Sequence, residues 1–220
     1  SEKYWNQRGV AVPFVEETEE RFVKKEFTFH KGDIVLDFAC GLGRWAKAIH
    51  GKVKEIVAID IAPRLIRHIK SKKFRNVHTF IGSDDLLKQY PGHFDKIIFA
   101  QALEFYKSPI SLLKVFRKSL KSGGQLFLST WATPILSGVK REGNFVVVRR
   151  PSDKKLVKVF FKPRNAKEVK TLLKKAGFKK YNVNILKSEI SHFPPKIRSN
   201  FSDKNSRKLL DVLIVAKAIK

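Results

Sequence analysis

The sequence predicts an α/β fold built on a doubly wound, mostly parallel sheet. Three observations predict it. Short apolar runs of the kind found in strands buried on both faces recur between residues 34 and 130. Amphipathic stretches with helical spacing separate them. A Gly-x-Gly turn follows the first run, and connections that pass from strand to helix to strand make right-handed crossovers into a parallel sheet.

The elements follow in order. Residues 14–29 place Val15, Phe22, Val23 and Phe27 among charges and predict a helix leading into the fold. Lys31-Gly32-Asp33 is a turn, residues 34–38 the first strand and residues 39–43 a small Gly-rich loop. Residues 44–50 read as a helix with Trp45, Ala48 and Ile49 on one face and Gly51 as its stop. Residues 56–60 are a second strand, and Pro63 opens a helix whose inner face is Leu65, Ile66 and Ile69. Residues 77–81 and 94–100 are the third and fourth strands, 109–120 a helix closed by Lys121-Ser122-Gly123-Gly124, and 125–130 the fifth strand. Residues 144–150 and 154–161 then predict a basic hairpin around Pro151-Ser152-Asp153. Asn165 caps a helix reaching Ala176, with Gly177 past its end. Residues 178–186 and 211–218 are two last strands, joined by a polar loop over 187–208 that contains Pro194-Pro195. No clean linker interrupts this order. The expected organisation is one domain over 1–220: an N-terminal helical lid (1–30), a ligand-binding core (31–131), a basic hairpin insertion (132–163), and a final helix with a β-hairpin (164–220).

Composition narrows the function classes. Among 220 residues, 43% are apolar and 18 are Phe, which excludes wholesale disorder. No uncharged apolar run approaches the roughly 18 residues of a membrane span, and the N-terminus shows no apolar signal core. A single cysteine excludes an intramolecular disulfide framework, and the six histidines are scattered without metal-ligand spacing. The expectation is an intracellular, cytoplasmic protein in a reducing environment, with no metal and no membrane partner.

Charge is the unusual number: 46 Lys and Arg against 20 Asp and Glu, a net of +26. Residues 1–30 hold six acids against five bases, so the excess lies downstream. It points to a polyanionic partner; the alternative is a lysine-biased composition on a solvated surface. Residues 64–75 carry Arg64, Arg67, Lys70, Lys72, Lys73 and Arg75 with no acid, and read mainly as the solvated face of a helix. Residues 138–170 hold 11 bases and 3 acids among Phe145, Phe160 and Phe161. A basic, aromatic-bearing hairpin at that place is suited to tracking phosphates and stacking a base.

In a doubly wound sheet, ligands bind beyond the carboxyl ends of the strands, near the point where strand order reverses. Gly41-Leu42-Gly43-Arg44-Trp45-Ala46 matches the dinucleotide fingerprint formally. The glycines permit a tight turn and a close backbone approach to a ligand. Asp60, 17 residues after Gly43 and at a strand end, suits the ribose hydroxyls of any adenosine-containing ligand. Asp37 discriminates. At the tip of strand one it would repel a pyrophosphate on the following helix and attract an ammonium group. S-adenosylmethionine carries an amino group and a sulfonium and no phosphate, so the sign of the charge favours it over NAD.

At this point the sequence resembles the class I S-adenosylmethionine-dependent methyltransferases. Val35-Leu36-Asp37-Phe38-Ala39-Cys40-Gly41-Leu42-Gly43 looks like their first motif, and Asp60 matches the acid that ends their second strand. Phe94-Asp95, Leu103-Glu104 and the Gly123-Gly124 turn fall where the family has similar features, so the motifs cover residues 32–130; residues 165–218 match in layout. The resemblance implies a Rossmann-like seven-stranded sheet with its last strand antiparallel. It implies S-adenosyl-L-methionine as cofactor, S-adenosyl-L-homocysteine as product and no metal, with in-line transfer in which the protein chiefly aligns the nucleophile and excludes water. The cofactor-binding set it implies is Asp37, Ala39, Cys40, Gly41, Gly43, Asp60, Ile61, Ser83, Asp84, Asp85 and Gln101. Ala39 stands where many members have Gly. Either Ser83 or Asp84 takes the adenine-facing place, according to register. Phe105 stands where many have His, which leaves Glu104 as the general-base candidate and Tyr106 as a residue shaping the acceptor site. Cys40 reads as a small loop residue rather than a nucleophile, and Tyr4, Trp5 and Arg8 as part of an N-terminal lid.

For the acceptor, the Asp/Asn-Pro-Pro-aromatic motif of amino methylation in nucleic acids is missing: after strand four the chain reads Ala100-Gln101-Ala102-Leu103, and Pro194-Pro195 lies too far downstream. Cytosine C5 methylation lacks a suitable Cys. The charge favours RNA (tRNA or rRNA), held through Arg149, Arg150, Lys154, Lys155, Lys158 and Lys162. A small-metabolite methyltransferase and a non-catalytic nucleic-acid-binding partner are the alternatives.

Overall fold

The computed structural model describes residues 11–132, 141–149, 155–189 and 209–220. A helix, α1 (Ala11–Glu26), leads into β1 (Ile34–Phe38), α2 (Arg44–Ile49), β2 (Glu55–Asp60), α3 (Pro63–Ser71), β3 (Val77–Ile81), β4 (Phe94–Phe99), α4 (Pro109–Ser119) and β5 (Leu120–Trp131). After β6 (Arg141–Glu142), β7 (Phe145–Arg149) and β8 (Leu156–Phe160) come α5 (Ala166–Lys175), β9 (Lys180–Glu189) and β10 (Leu209–Ile219). The main sheet has seven strands in the order β3-β2-β1-β4-β5-β10-β9. Its first five strands pair in parallel, and β10 runs antiparallel to both neighbours. This is the doubly wound sheet the apolar runs require, with its switch point between β1 and β4.

Successive residues of the central strands serve opposite faces. Leu36, Ile59 and Ile97 pack with Leu112, Leu113 and Phe116 of α4 and Val169 and Leu173 of α5. Val35, Ile56 and Ile98 pack with Val15, Val23 and Phe27 around α1 and with Trp45 and Ile49 of α2. The N-terminal helix therefore forms part of one face of the core. Asn165 and Glu168 close a reciprocal capping box at 2.9 Å in each direction, which fixes the start of α5.

The elements differ from expectation at several places: α1 spans Ala11–Glu26 instead of 14–29, and β10 begins at Leu209 instead of residue 211. Strand β5 begins at Leu120 instead of residue 125, because Leu120 pairs with Phe94 across an irregularity. Strand β9 extends to Glu189, into the expected polar loop, because it pairs with Leu209 at the start of β10. The basic hairpin gains a third strand, since Arg141 and Glu142 pair with Val146 and Phe145. Its turn at 151–153, the loop residues 190–208 and the lid residues Tyr4, Trp5 and Arg8 lie outside the described residues. Among the described residues no helix is long and apolar enough to cross a membrane.

Candidate active site

Beyond β1 the chain makes two left-handed turns in quick succession, at Ala39 (φ +58°) and Gly41 (φ +57°), and a third at Gly43 (φ +78°). The loop is held by backbone bonds from Cys40 N–H to the Ile59 carbonyl at 3.1 Å and from Gly43 N–H to the Cys40 carbonyl at 2.9 Å. A Cβ on Gly43 would lie 2.8 Å from Cγ1 of Ile69, so α3 packs directly over the loop. Ala39 carries the cost of a side chain in the left-handed region, about 1–2 kcal/mol, partly offset by the restriction it places on the unfolded chain. Ala39→Gly is therefore expected to stabilise the fold by about 0.5–1 kcal/mol, read as a melting-temperature rise of about 1–4 °C. A lower melting temperature would show that the loop does not bear this strain.

Asp37 lies inside the molecule at 2% exposure. The Ala46 N–H of α2 donates to its carboxylate, while Oδ2 has no hydrogen-bond partner among the described residues. Burial pushes its pKa up to about 7; Arg44 and the Ala46 N–H oppose the rise, and Asp60 and Glu19 add to it. A buried carboxylate oxygen left without a donor is costly, and it suits a cationic group entering from the cofactor side. Asp60 is half-buried and already oriented: Oδ2 accepts from Gly41 N–H at 3.0 Å and Oδ1 from Ala62 N–H at 2.9 Å. It thus braces the glycine loop, and each oxygen keeps a second acceptor position for a ribose hydroxyl. Ile61, 73% exposed, presents an apolar surface at the end of β2. Burial and the charges of Asp37 and Asp60 push the Cys40 thiol far above its usual range, which removes it as a nucleophile.

The remaining expected residues divide. Ser83 and Asp84 stand at the start of the 3-10 turn Asp84–Gln89 beyond β3, both half-buried. Asp85 is exposed and pairs with Lys88 at 2.7 Å. Gln101 has a positive φ of 52°, and its amide Nε2 donates to Glu19 at 3.3 Å. Glu104, the general-base candidate, lies in the 3-10 turn after β4. It is fully buried, and Thr130 Oγ1 donates to its Oε2 at 2.9 Å. Its carbonyl accepts from Lys162 N–H at 2.8 Å, and buried Arg164 donates to the neighbouring Leu103 carbonyl at 3.1 Å. These contacts anchor the turn after β4. Tyr106 packs its ring on Phe99 at 5.5 Å and Phe38 at 6.4 Å. Burial, with the charges of Asp84 and Asp60, pushes its hydroxyl above the usual tyrosine range.

One functional residue escaped the sequence reading. Glu19 of α1, fully buried, accepts from the guanidinium of Arg44, from the hydroxyl of Ser129 and from the Gln101 amide. A single carboxylate thereby ties the N-terminal helix to the first residue of α2, to β5 and to the segment after β4. The signal was present: Val15, Glu19, Val23 and Phe27 share one i, i+4 stripe, so Glu19 falls on the apolar face.

In the basic insertion, two of the described cations have acidic neighbours. Lys158 pairs with Glu142 at 2.5 Å, and Lys162 lies 4.0 Å from Glu168. Lys155 also has an interaction partner. The side chain of Arg149 and all of Arg150 and Lys154 lie outside the described residues. Two of the six expected cations therefore have an acid beside them, Glu142 across the hairpin and Glu168 on α5.

Solved structures share this architecture. A putative S-adenosylmethionine-dependent methyltransferase from Listeria monocytogenes superposes with a TM-score of 0.67 at 17% identity, covering 93% of this chain and 99% of that one. One from Archaeoglobus fulgidus does so at 0.67 and 15%, covering 94% of each. The DhpI–SAH complex does so at 0.64 and 15%, covering 94% of this chain and 86% of that one. The fold is that of the class I methyltransferases. Residues 12–183 match the model of a family described as "Methyltransferase domain", so the chain belongs to that family. Among curated relatives, a ubiquinone biosynthesis O-methyltransferase of Xylella fastidiosa is 29% identical over 195 residues, 85% of this chain and 76% of the relative. One from Xanthomonas campestris is 32% identical over 103 residues, 45% of this chain, and the match spans only 43% of that relative's length.

Proposed function

We propose that this methyltransferase acts on a hydroxyl oxygen of a small organic acceptor. The similarity to the Xylella O-methyltransferase, which runs through 85% of the chain, carries this reading. Two cations of the basic insertion, Lys158 and Lys162, are engaged by Glu142 and Glu168 within the chain, which supports a small acceptor over RNA.

The residues present fit the cofactor. Asp37 would hold its ammonium group, Asp60 its ribose hydroxyls, and Ile61 and Ser83 or Asp84 its adenine, with the backbone of 39–43 drawn close. When bound, S-adenosylmethionine supplies an electrophilic methyl on a leaving group already in place. The protein's own work is then alignment and water exclusion. Ionised Asp37 would fix one end of the site, Asp60 stiffens the glycine loop through Gly41, and Tyr106 packs its ring on Phe38 and Phe99. Glu104 serves as an anchor of the post-β4 turn, through Thr130.

The test is transfer of labelled methyl from the cofactor into a cell extract separated into small organic molecules, RNA and protein. Label is expected in the small-molecule fraction. Label confined to RNA would overturn the proposal and return the charge excess to the acceptor question.

A further inference from the structure

A second concentration of positive charge lies on α3 and on the segment that leads into β3. Between residues 61 and 83 there is no Asp or Glu, and Arg64, Arg67, Lys70, Lys72, Lys73 and Arg75 are all exposed. None of the six is ion-paired among the described residues, in contrast to Lys158 and Lys162. Two recesses flank α3. One, of about 310 Å3, is bounded by Arg64, Arg67 and His68 with Leu42 of the glycine loop. The other, of about 300 Å3, is bounded by Lys70 and Lys73 on the helix side, by Phe74 of the segment before β3, and by His78 and Phe80 of β3. Strand β3 ends the sheet, so its outer row of backbone N–H and C=O groups pairs with no other described strand. Phe80 is 40% exposed.

We propose that the α3–β3 face is a docking surface for single-stranded nucleic acid. Each part matches one part of that ligand. A row of unpaired Arg and Lys follows a phosphodiester backbone. An exposed aromatic ring gives a base a π face on which to stack without regard to sequence. The free strand edge offers donors and acceptors to the edge of an unpaired base, which a duplex does not present. A recess of about 300 Å3 with aromatic walls fits a stacked base better than it fits a flat bilayer surface. The surface is distinct from Asp37 and Asp60, and it stands whichever acceptor is methylated.

Fluorescence anisotropy with a labelled single-stranded RNA dodecamer tests this without cofactor or turnover. Affinity is expected to fall with salt with a log–log slope of about −0.7 for each phosphate neutralised, so about −3 for four contacts. The double variant K70E/K73E is expected to lose at least tenfold in affinity and to flatten that slope. Phe80→Ala is expected to lose about tenfold at unchanged slope. All three altered side chains are exposed, so melting temperature and S-adenosylmethionine affinity serve as folding controls. The proposal is overturned if the RNA does not bind at low salt, or if K70E/K73E binds it as the parent does. It is equally overturned if a duplex of the same length binds as tightly, or if phosphatidylglycerol vesicles, and not RNA, show the K70E/K73E loss.

Discussion

Asp37→Asn is expected to abolish tight S-adenosylmethionine binding and, at the same time, to raise the melting temperature above pH 7. Both effects come from one fact: the carboxylate is 2% exposed and its Oδ2 is unanswered. Burial raises its pKa from 3.8 to about 7. The folded state therefore keeps a proton that the unfolded state has released. The associated stability is fully present below about pH 3.8 and is lost as pH climbs to about 7. Above that, the fold carries a buried charge that costs about 4 kcal/mol at most, taking 1.36 kcal/mol per unit. Asparagine avoids the charge but leaves an amide without a full set of partners, which returns about 1–2 kcal/mol. The net gain at pH 8 is about 2–3 kcal/mol, or about 4–12 °C in melting temperature.

Binding moves the other way. Loss of a buried ionic partner for the cofactor's ammonium costs about 3 kcal/mol or more, at least a hundredfold in affinity. The same logic makes the parent protein pH-sensitive: its affinity should fall about tenfold per unit below about pH 7, as Asp37 takes up its proton. Calorimetric titration from pH 5 to 8, with thermal melts of both proteins at pH 8, checks both halves. Parental affinity in Asp37→Asn, or a flat affinity across that range, would remove Asp37 from the cofactor site.

The geometry of the glycine loop was legible in the sequence because its signals are local. A short apolar strand, an acid at its tip, two glycines and a second acid at the next strand end all lie within residues 34–60, and each acts on near neighbours. Ala39 shows the same locality, since a non-glycine at a place the family pattern gives to glycine proved to be a left-handed residue. What failed depended on distance. Glu19 and Ser129 are 110 positions apart, and nothing near either announces the other. Net charge also counts cations without their partners. Lys158 meets Glu142 only once β6, β7 and β8 are paired in register. Glu104 was placed correctly after β4, but whether it would face a cleft or Thr130 depended on the packing of β5.

The Glu19 hub carries the second large expectation. Glu19→Ala removes the acceptor shared by Arg44, Ser129 and Gln101 and leaves the Arg44 guanidinium, whose side chain is 22% exposed, without its buried partner. Glu16 and Glu20 stand farther off, at 3.7 and 3.8 Å from Arg44, and do not replace a direct buried contact. Breaking such a pair by deleting one member costs about 3 kcal/mol, so the melting temperature should fall by about 6–12 °C. A fall under about 2 °C would mean that α1 is seated by its apolar stripe alone. Stability does not isolate the electrostatic role, but pH does. Asp37 senses Arg44, whose charge favours its ionised form, and Glu19 and Asp60, whose charges oppose it. Glu19→Gln keeps the side-chain shape and removes an opposing charge, so the acid limb of S-adenosylmethionine affinity should move below about pH 7. Arg44→Gln removes the favouring charge, so the limb should move above it. A purely structural hub would weaken binding in both variants without displacing the limb in opposite directions. Opposite displacement would make α1, through Glu19 and Arg44, the element that sets the pH at which the cofactor carboxylate becomes available.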